Sequence, residues 1–96
     1  MYGTIARILP LPGKADEIRK FTSEWNTTIG PNVKGKIAAY TFTPDNDSVH
    51  LYILAIFEDE ATYKTNADDP AQDEWYQKLR VLLQTDPEWM DGTFAE

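Results

Sequence analysis

Cysteine is absent from the sequence, and histidine occurs only once, as His50. Without cysteine the chain has neither a disulfide framework nor a thiolate site, and a single histidine argues against a structural zinc site. The sequence also lacks a glycine-rich phosphate loop, a nucleophile elbow and paired metal-binding histidines. We therefore expect a protein that binds no metal and uses no cofactor.

Positive charge is scarce as well. Nine Lys and Arg residues stand against sixteen Asp and Glu residues, so the formal net charge is -7. A chain this acidic repels phosphate backbones and anionic membrane surfaces, and we expect no nucleic acid and no membrane as partner. No apolar run reaches the roughly 18 residues of a membrane span, and no signal peptide opens the sequence, so we expect a cytoplasmic protein.

Apolar side chains are concentrated in one stretch, residues 49–57 (VHLYILAIF), which is rich in β-branched and aromatic residues. Such a run predicts a strand that is buried on both faces. Its residues divide into one set containing Leu51 and Ile53 and another containing Tyr52 and Leu54, because successive side chains point to opposite faces of a strand. Both faces of the predicted sheet therefore need a cover.

The remaining segments of the 96-residue chain fall into a regular order around this run. Apolar spacing and cap residues predict helices over 14–29, 60–67 and 70–84, with Asp59 and Asp69 as N-caps. Strands are predicted over 2–9, 33–43 and 93–96, with turns over 44–48 and 88–92. This order predicts a single α+β domain over residues 1–96, with a ferredoxin-like βαββαβ fold. Its four-stranded antiparallel sheet would carry the helices on one face.

The second face of this sheet has no predicted cover. Leu54 and Ile56 point toward it, and soluble monomers rarely leave a large apolar patch in water. A second copy of the chain, packed sheet on sheet about a two-fold axis, would bury the patch. We therefore expect a homodimer in which two domains pair as a dimeric α/β barrel.

Four short motifs extend this prediction to a family. They are residues 11–14 (LPGK), 57–63 (FEDEATY), 67–76 (ADDPAQDEWY) and 86–92 (DPEWMDG). With this layout the chain resembles the dimeric α/β-barrel superfamily, and within it the antibiotic biosynthesis monooxygenase-like (ABM) domains. The superfamily includes cofactor-free monooxygenases, haem-degrading enzymes, isomerases, dehalogenating enzymes and members without known activity, so the resemblance alone does not choose a reaction.

The resemblance implies a pocket between helices and sheet and some of its residues. Cofactor-free monooxygenases of this kind use an Asn, a Trp and a Tyr around an aromatic substrate, and Asn66, Trp75 and Tyr76 or Tyr63 are the same residue types in the same region. Haem-degrading members use a histidine on a helix as iron ligand. His50 lies on a predicted strand, which argues against haem.

Further candidates follow from side-chain chemistry. Histidine is the side chain whose ordinary pKa lies nearest neutral pH, so His50 would serve as a base, unless it is a strand-end histidine satisfied by a neighbour. Tyr40 and Tyr52 lie on neighbouring predicted strands, where they would orient or deprotonate a substrate hydroxyl or pack against each other. Arg7, inside an apolar strand, would reach out at the sheet edge or pair with a carboxylate or an anionic ligand.

The tryptophans also have two interpretations. Trp25 and Trp75 lie on apolar helix faces and would form flat pocket walls or pack in the core. Trp89, in a predicted turn, would plug the end of the barrel or meet the partner subunit. Together these arguments predict no metal ligands. The predicted catalytic residues are His50, Tyr52 and Asn66. The predicted substrate-binding residues are Arg7, Trp25, Tyr40, Tyr63, Trp75 and Tyr76.

Three functions agree with these observations. The first is a cofactor-independent monooxygenase acting on a small aromatic or phenolic substrate. The second is a non-catalytic dimer, stress-related or accessory, that binds a small apolar or aromatic ligand in the same pocket. The third is an isomerase or lyase that uses the pocket for proton transfer, and two titratable groups facing one cavity would favour it.

Overall fold

The computed structural model describes residues 1–96 and confirms the ferredoxin-like α+β prediction. Its four strands form one antiparallel sheet in the order β2-β3-β1-β4, with three helices in the connections. The strands are β1 (Tyr2–Ile8), β2 (Lys36–Phe42), β3 (Leu51–Phe57) and β4 (Glu88–Thr93). The helices are α1 (Ala15–Thr28), α2 (Glu60–Ala67) and α3 (Pro70–Arg80). The predicted organising strand, β3, lies inside the sheet beside β1.

One face of the sheet packs against the helices and carries the core. The register between β1 and β3 pairs Ala6 with Ile53 and Ile8 with Leu51, so these four side chains share that face. All four are buried, as is Leu79 from α3. The core therefore lies between the helices and this face, which we call the inner face.

Side-chain caps begin α2 and α3, as the sequence predicts. The carboxylate of Asp59 accepts the backbone N–H of Thr62 at 2.8 Å, and the carboxylate of Asp69 accepts that of Ala71 at 2.8 Å. These donors have no partner inside their helices, so each cap stabilises a first turn. No helix is long and apolar enough to cross a membrane.

Helix α3 ends at Arg80, whereas the sequence predicts that it continues to residue 84. The segment after α3 instead pairs with the chain that leaves β1. The N–H of Leu11 donates to the carbonyl of Leu82 at 2.8 Å, and the N–H of Gln84 donates to that of Leu9 at 2.8 Å. Tertiary backbone pairing outweighs local helical spacing here.

The C-terminal prediction is wrong in its boundaries. Residues 88–92, predicted as a turn, belong to strand β4, which ends at Thr93 where the predicted strand begins. Glu, Asp and Gly are poor strand formers, which hid this element. The segment forms a strand because it pairs with the edge of β1, whose backbone groups otherwise lack partners. The pairing runs from Arg7↔Glu88 to Tyr2↔Thr93.

The opposite face of the sheet, here called the outer face, is apolar and uncovered by the chain. Ile5 and Leu54 are paired there and only half-buried. Next to them Tyr40, Phe42 and Met90 are 58%, 55% and 63% exposed. The face without a predicted cover is therefore open in the folded chain.

Candidate functional site

The candidate site is a cavity of about 410 Å³ between the inner face and the helices. Its floor is a row of small side chains across three strands. Ala39 of β2 pairs with Ala55 of β3, which pairs with Thr4 of β1, and all three line the cavity. Larger residues in this row would fill the space between sheet and helices, so the register of small residues creates the cavity.

Aromatic rings form the walls. Trp75 of α3 stacks on Phe21 with ring centroids 5.3 Å apart and planes 10° from parallel, and it meets Trp25 edge-on at 6.3 Å. On the other side Tyr76 lies 6.0 Å from Trp89 of β4. Trp25 and Trp75 are only 6% and 9% exposed and line the cavity. These two tryptophans therefore pack in the core and also line the cavity, while their contact with a ligand stays a prediction.

Polar groups enter this apolar space at a few points. Helix α2 contributes Tyr63 and Asn66, and α3 contributes Gln72 and Asp73. The phenol of Tyr63 donates to the carboxylate of Asp91 at 2.9 Å. Burial, followed by this hydrogen bond, raises the pKa of Tyr63 to about 12. Tyr63 is therefore a neutral phenol at physiological pH, and it serves as a hydrogen-bonding group and not as a resting base.

Five of the nine predicted site residues meet at this cavity. They are Trp25, Tyr63, Asn66, Trp75 and Tyr76.

The other four predicted site residues do not line it. Tyr40 and Tyr52 belong to the set of side chains on the outer face, since their register partners Leu54 and Arg7 lie there. Tyr52 packs edge-on against Phe42 with ring centroids 6.1 Å apart. Tyr52 therefore shows cross-strand packing, the alternative to a substrate contact, whereas Tyr40 is 58% exposed.

His50 lies just before β3 and lines a second cavity of about 300 Å³. The loop between β1 and α1 and the loop between β2 and β3 form most of this cavity. Its Nδ1 lies 2.8 Å from Oδ2 of Asp47 and 3.5 Å from Nη2 of Arg7. The shorter contact fixes the Nδ1 proton toward the carboxylate. The backbone N–H groups of Val49 and His50 donate to Asp47 and hold its pKa below the usual range, with a smaller effect from the imidazole. His50 is therefore a strand-end histidine whose ring nitrogen is satisfied by a neighbour, Asp47.

Arg7 pairs with a carboxylate, one of the alternatives that the sequence leaves open. Its Nη1 donates to Oε2 of Glu88 at 3.2 Å, and that hydrogen bond raises the pKa of the guanidinium. The side chains of Arg7 and Glu88 are 42% and 71% accessible to solvent, so the pair is a surface contact on the outer face.

Sequence reasoning missed part of the site. Thr4 could have been found, because alternation in β1 puts this polar residue in line with Ala6 and Ile8. Trp89 and Asp91 gave no such signal, because their strand carries the residues of a turn. The structure contains no group of three or more His, Cys, Asp or Glu side chains that could hold a metal ion.

No family model matches the sequence, and no curated protein matches it. The fold is nevertheless that of a structurally defined class, because many solved structures with the same architecture are named as antibiotic biosynthesis monooxygenases. This is the class that the sequence motifs resemble.

Three solved structures illustrate the similarity. A candidate antibiotic biosynthesis monooxygenase of Bordetella bronchiseptica superposes with a TM-score of 0.83 at 11% identity, covering 99% of this chain and 97% of its own. One from Caulobacter crescentus gives 0.82 at 14% identity, with 99% and 90% covered. A conserved protein of Methanosarcina mazei gives 0.81 at 15% identity, with 95% and 89% covered. At these identities the similarity establishes the fold alone.

Proposed function

We propose that the protein binds a small flat phenolic molecule in the inner-face cavity and oxygenates it without a cofactor. The observation that supports this most is the composition of the cavity, in which Trp25, Trp75 and Trp89 surround a space with polar groups only at Tyr63, Asn66 and a few neighbours. A volume of about 410 Å³ lies within the range of small-molecule sites. Tryptophan faces are suited to aromatic rings.

The proposed reaction needs dioxygen as its only co-reactant. An activated ring CH₂ loses a proton to water, the resulting carbanion passes electrons to dioxygen, and a carbon–oxygen bond forms while the peroxide takes a proton back. Loss of water then leaves a carbonyl, so CH₂ and O₂ become C=O and H₂O. The protein would orient the ring, exclude water and stabilise negative charge on the substrate oxygen. We assign that stabilisation to the amide of Asn66. His50 and Tyr52 do not line the cavity, and we give them no part in it.

Oxygen uptake with a panel of hydroquinones and anthrone-type phenols tests the reaction. Asn66→Ala should lower kcat about 100-fold, the effect of removing one donor to a developing oxyanion. Asn46→Ala, at an exposed asparagine in the β2–β3 loop, is the matched control and should retain full activity. An absence of uptake across the whole panel would refute oxygenation.

Ligand binding without turnover is the second candidate function. It is favoured by the location of His50 and Arg7, both of which lie outside the cavity. Calorimetric titration with the same panel separates oxygenation from binding alone, because a protein that only binds shows affinity without oxygen uptake. Ala55→Leu fills the cavity floor and should abolish affinity while far-UV circular dichroism stays unchanged. Persisting affinity in that variant would place the ligand elsewhere.

A proton-transfer isomerase is the third candidate, because two titratable side chains, Tyr63 and Asp73, line the same cavity. Such an enzyme would exchange carbon-bound hydrogen of its ligand with solvent. Deuterium incorporation into a recovered ligand, without oxygen uptake, would identify this activity.

We also propose that two copies pair through their outer faces. Each 100 Å² of apolar surface removed from water contributes about 2.5 kcal/mol, so covering the exposed rings of Tyr40 and Phe42 and their neighbours favours association. Sedimentation at low micromolar concentration should show a dimer. Phe42→Asp should yield a folded monomer, whereas Val81→Asp, at an apolar residue 70% exposed and outside this face, should not. A wild-type monomer would contradict the pairing.

A further inference from the structure

The hydrogen bond between Tyr63 and Asp91 determines where the proton of the Tyr63 hydroxyl points. Tyr63 packs against two aromatic rings, with centroids 5.4 Å from Tyr2 and 5.6 Å from Phe57. These contacts with two paired residues of the sheet restrict the orientation of the phenol. Asp91 is paired with Thr4 across β1 and β4, so its side chain lies on the inner face. It accepts from the Tyr63 hydroxyl at 2.9 Å.

An ionised carboxylate can only accept hydrogen bonds, so the single proton of Tyr63 is committed to Asp91. Thr4 lies beside the same phenol and lines the cavity with it. The Thr4 hydroxyl donates to the carbonyl of Met90 at 3.2 Å, and it also lies within hydrogen-bonding reach of the phenol, where it acts to lower the pKa of Tyr63. Because a phenol oxygen has two lone pairs, one remains to bond a ligand even when Thr4 takes the other. Asp91 does not line the cavity and acts only through Tyr63.

From this arrangement we infer that Asp91, through Tyr63, makes the cavity select ligands that donate a hydroxyl over the corresponding methyl ethers. The inference rests on the proposed binding of phenolic ligands and adds the residues that recognise the ligand hydroxyl. A phenolic hydroxyl donates to the Tyr63 oxygen. An ether oxygen can only accept, so it makes no hydrogen bond to the Tyr63 oxygen and leaves that lone pair without a partner in the ligand. Asp91 is thus a positioning residue for ligand selection.

Paired probes of nearly equal shape test this selection. The dissociation constants of 2-naphthol and 2-methoxynaphthalene are measured by titration, following tryptophan fluorescence or heat. We expect the naphthol to bind about tenfold more tightly, the effect of one hydrogen bond whose loss leaves buried polar atoms unpaired. The ratio of the two constants in each variant, compared with the wild-type ratio, cancels the difference in hydrophobicity between the probes.

Two substitutions should change this ratio. In Asp91→Asn the neutral amide offers the phenol a donor as well as an acceptor, so the Tyr63 proton is no longer committed to residue 91 and the preference should weaken. Tyr63→Phe keeps the aromatic packing and removes the oxygen, so the probes should bind about equally. Glu88→Gln removes the same charge from the same strand, but its side chain pairs with Arg7 on the other face. This control should keep the wild-type ratio.

The outcomes separate the two proposals. If folded wild-type protein binds neither probe, the proposed ligand class and the inference are both refuted. If it binds both equally, or if Asp91→Asn and Tyr63→Phe both retain the wild-type preference, the inference fails while aromatic binding stands. Should Asp91→Asn fail to fold, the ratio in Tyr63→Phe decides alone.

Discussion

Two glycines with the same backbone conformation provide a test of how α2 is held over the cavity. Gly13 has φ +78° and Gly35 has φ +79°, a region that side chains rarely adopt. A Cβ added at Gly13 would meet nothing within 4 Å, whereas one at Gly35 would lie 2.5 Å from the side chain of Thr62 in α2. Alanine at position 13 therefore measures backbone strain alone, and alanine at position 35 measures strain together with a clash.

The magnitudes follow from these two terms. A left-handed conformation costs an alanine about 1–2 kcal/mol, and overpacking costs about 1–3 kcal/mol. Gly13→Ala should lower the free energy of unfolding by the first amount, and Gly35→Ala by about 2–5 kcal/mol. Helix α2 contributes no buried residue, so it should move away from the clash and take Tyr63 and Asn66 with it. Ligand affinity should then fall in Gly35→Ala only.

Urea denaturation at one fixed protein concentration measures these changes. Thr62→Gly removes every side-chain atom that the new Cβ would meet, so the double variant isolates the clash. The cycle formed by the two single variants and the double should give a coupling of about 1 kcal/mol or more in favour of the double variant. Equal losses at positions 13 and 35, or the absence of coupling, would refute this account of how α2 is held.

Further predictions concern pH and packing. The pKa of Tyr63 is raised from 10.0 to about 12, so above pH 10 the unfolded chain releases this proton before the folded one does. Stability should therefore fall between pH 10 and about pH 12 and be flatter in Tyr63→Phe, as measured by unfolding across this range with tyrosinate absorbance. Leu79→Ala, at a fully buried residue, should cost about 2–5 kcal/mol in urea. Val81→Ala, two residues on and exposed, should cost less than about 0.5 kcal/mol, and equal losses would contradict the assignment of the core.

The fold was predictable where a short-range signal matched the long-range structure. Asp59 and Asp69 precede helices at cap positions, and the apolar run over 49–57 contains strand β3, which begins two residues later at Leu51. Strand β4 was not predictable, because its residues disfavour strands. Its pairing is imposed by the edge of β1, which lies more than eighty residues away, as Arg7↔Glu88 shows.

The site was predictable in residue type and less so in location. Trp75 lies on a helix whose inner side the apolar spacing defines, whereas Asn66 is predicted from the family resemblance; both line the cavity. His50 and Tyr52 do not line the cavity. The sequence could not show this, because the run that forms β3 is apolar on both faces and does not reveal which set of side chains meets the helices. The register with Ala6 and Ile8 decides that Leu51 and Ile53 do.

The row formed by Ala39, Ala55 and Thr4 has a consequence for engineering and for natural variation. A valine or leucine at Ala55 would add contacts in the middle of the domain and strengthen the fold, while it closed the space that a ligand needs. At these three positions on adjoining strands, a larger side chain raises the stability of the fold and lowers the volume available to a ligand. A natural variant with a bulky side chain in this row would keep the shape of the molecule but have no room for a ligand.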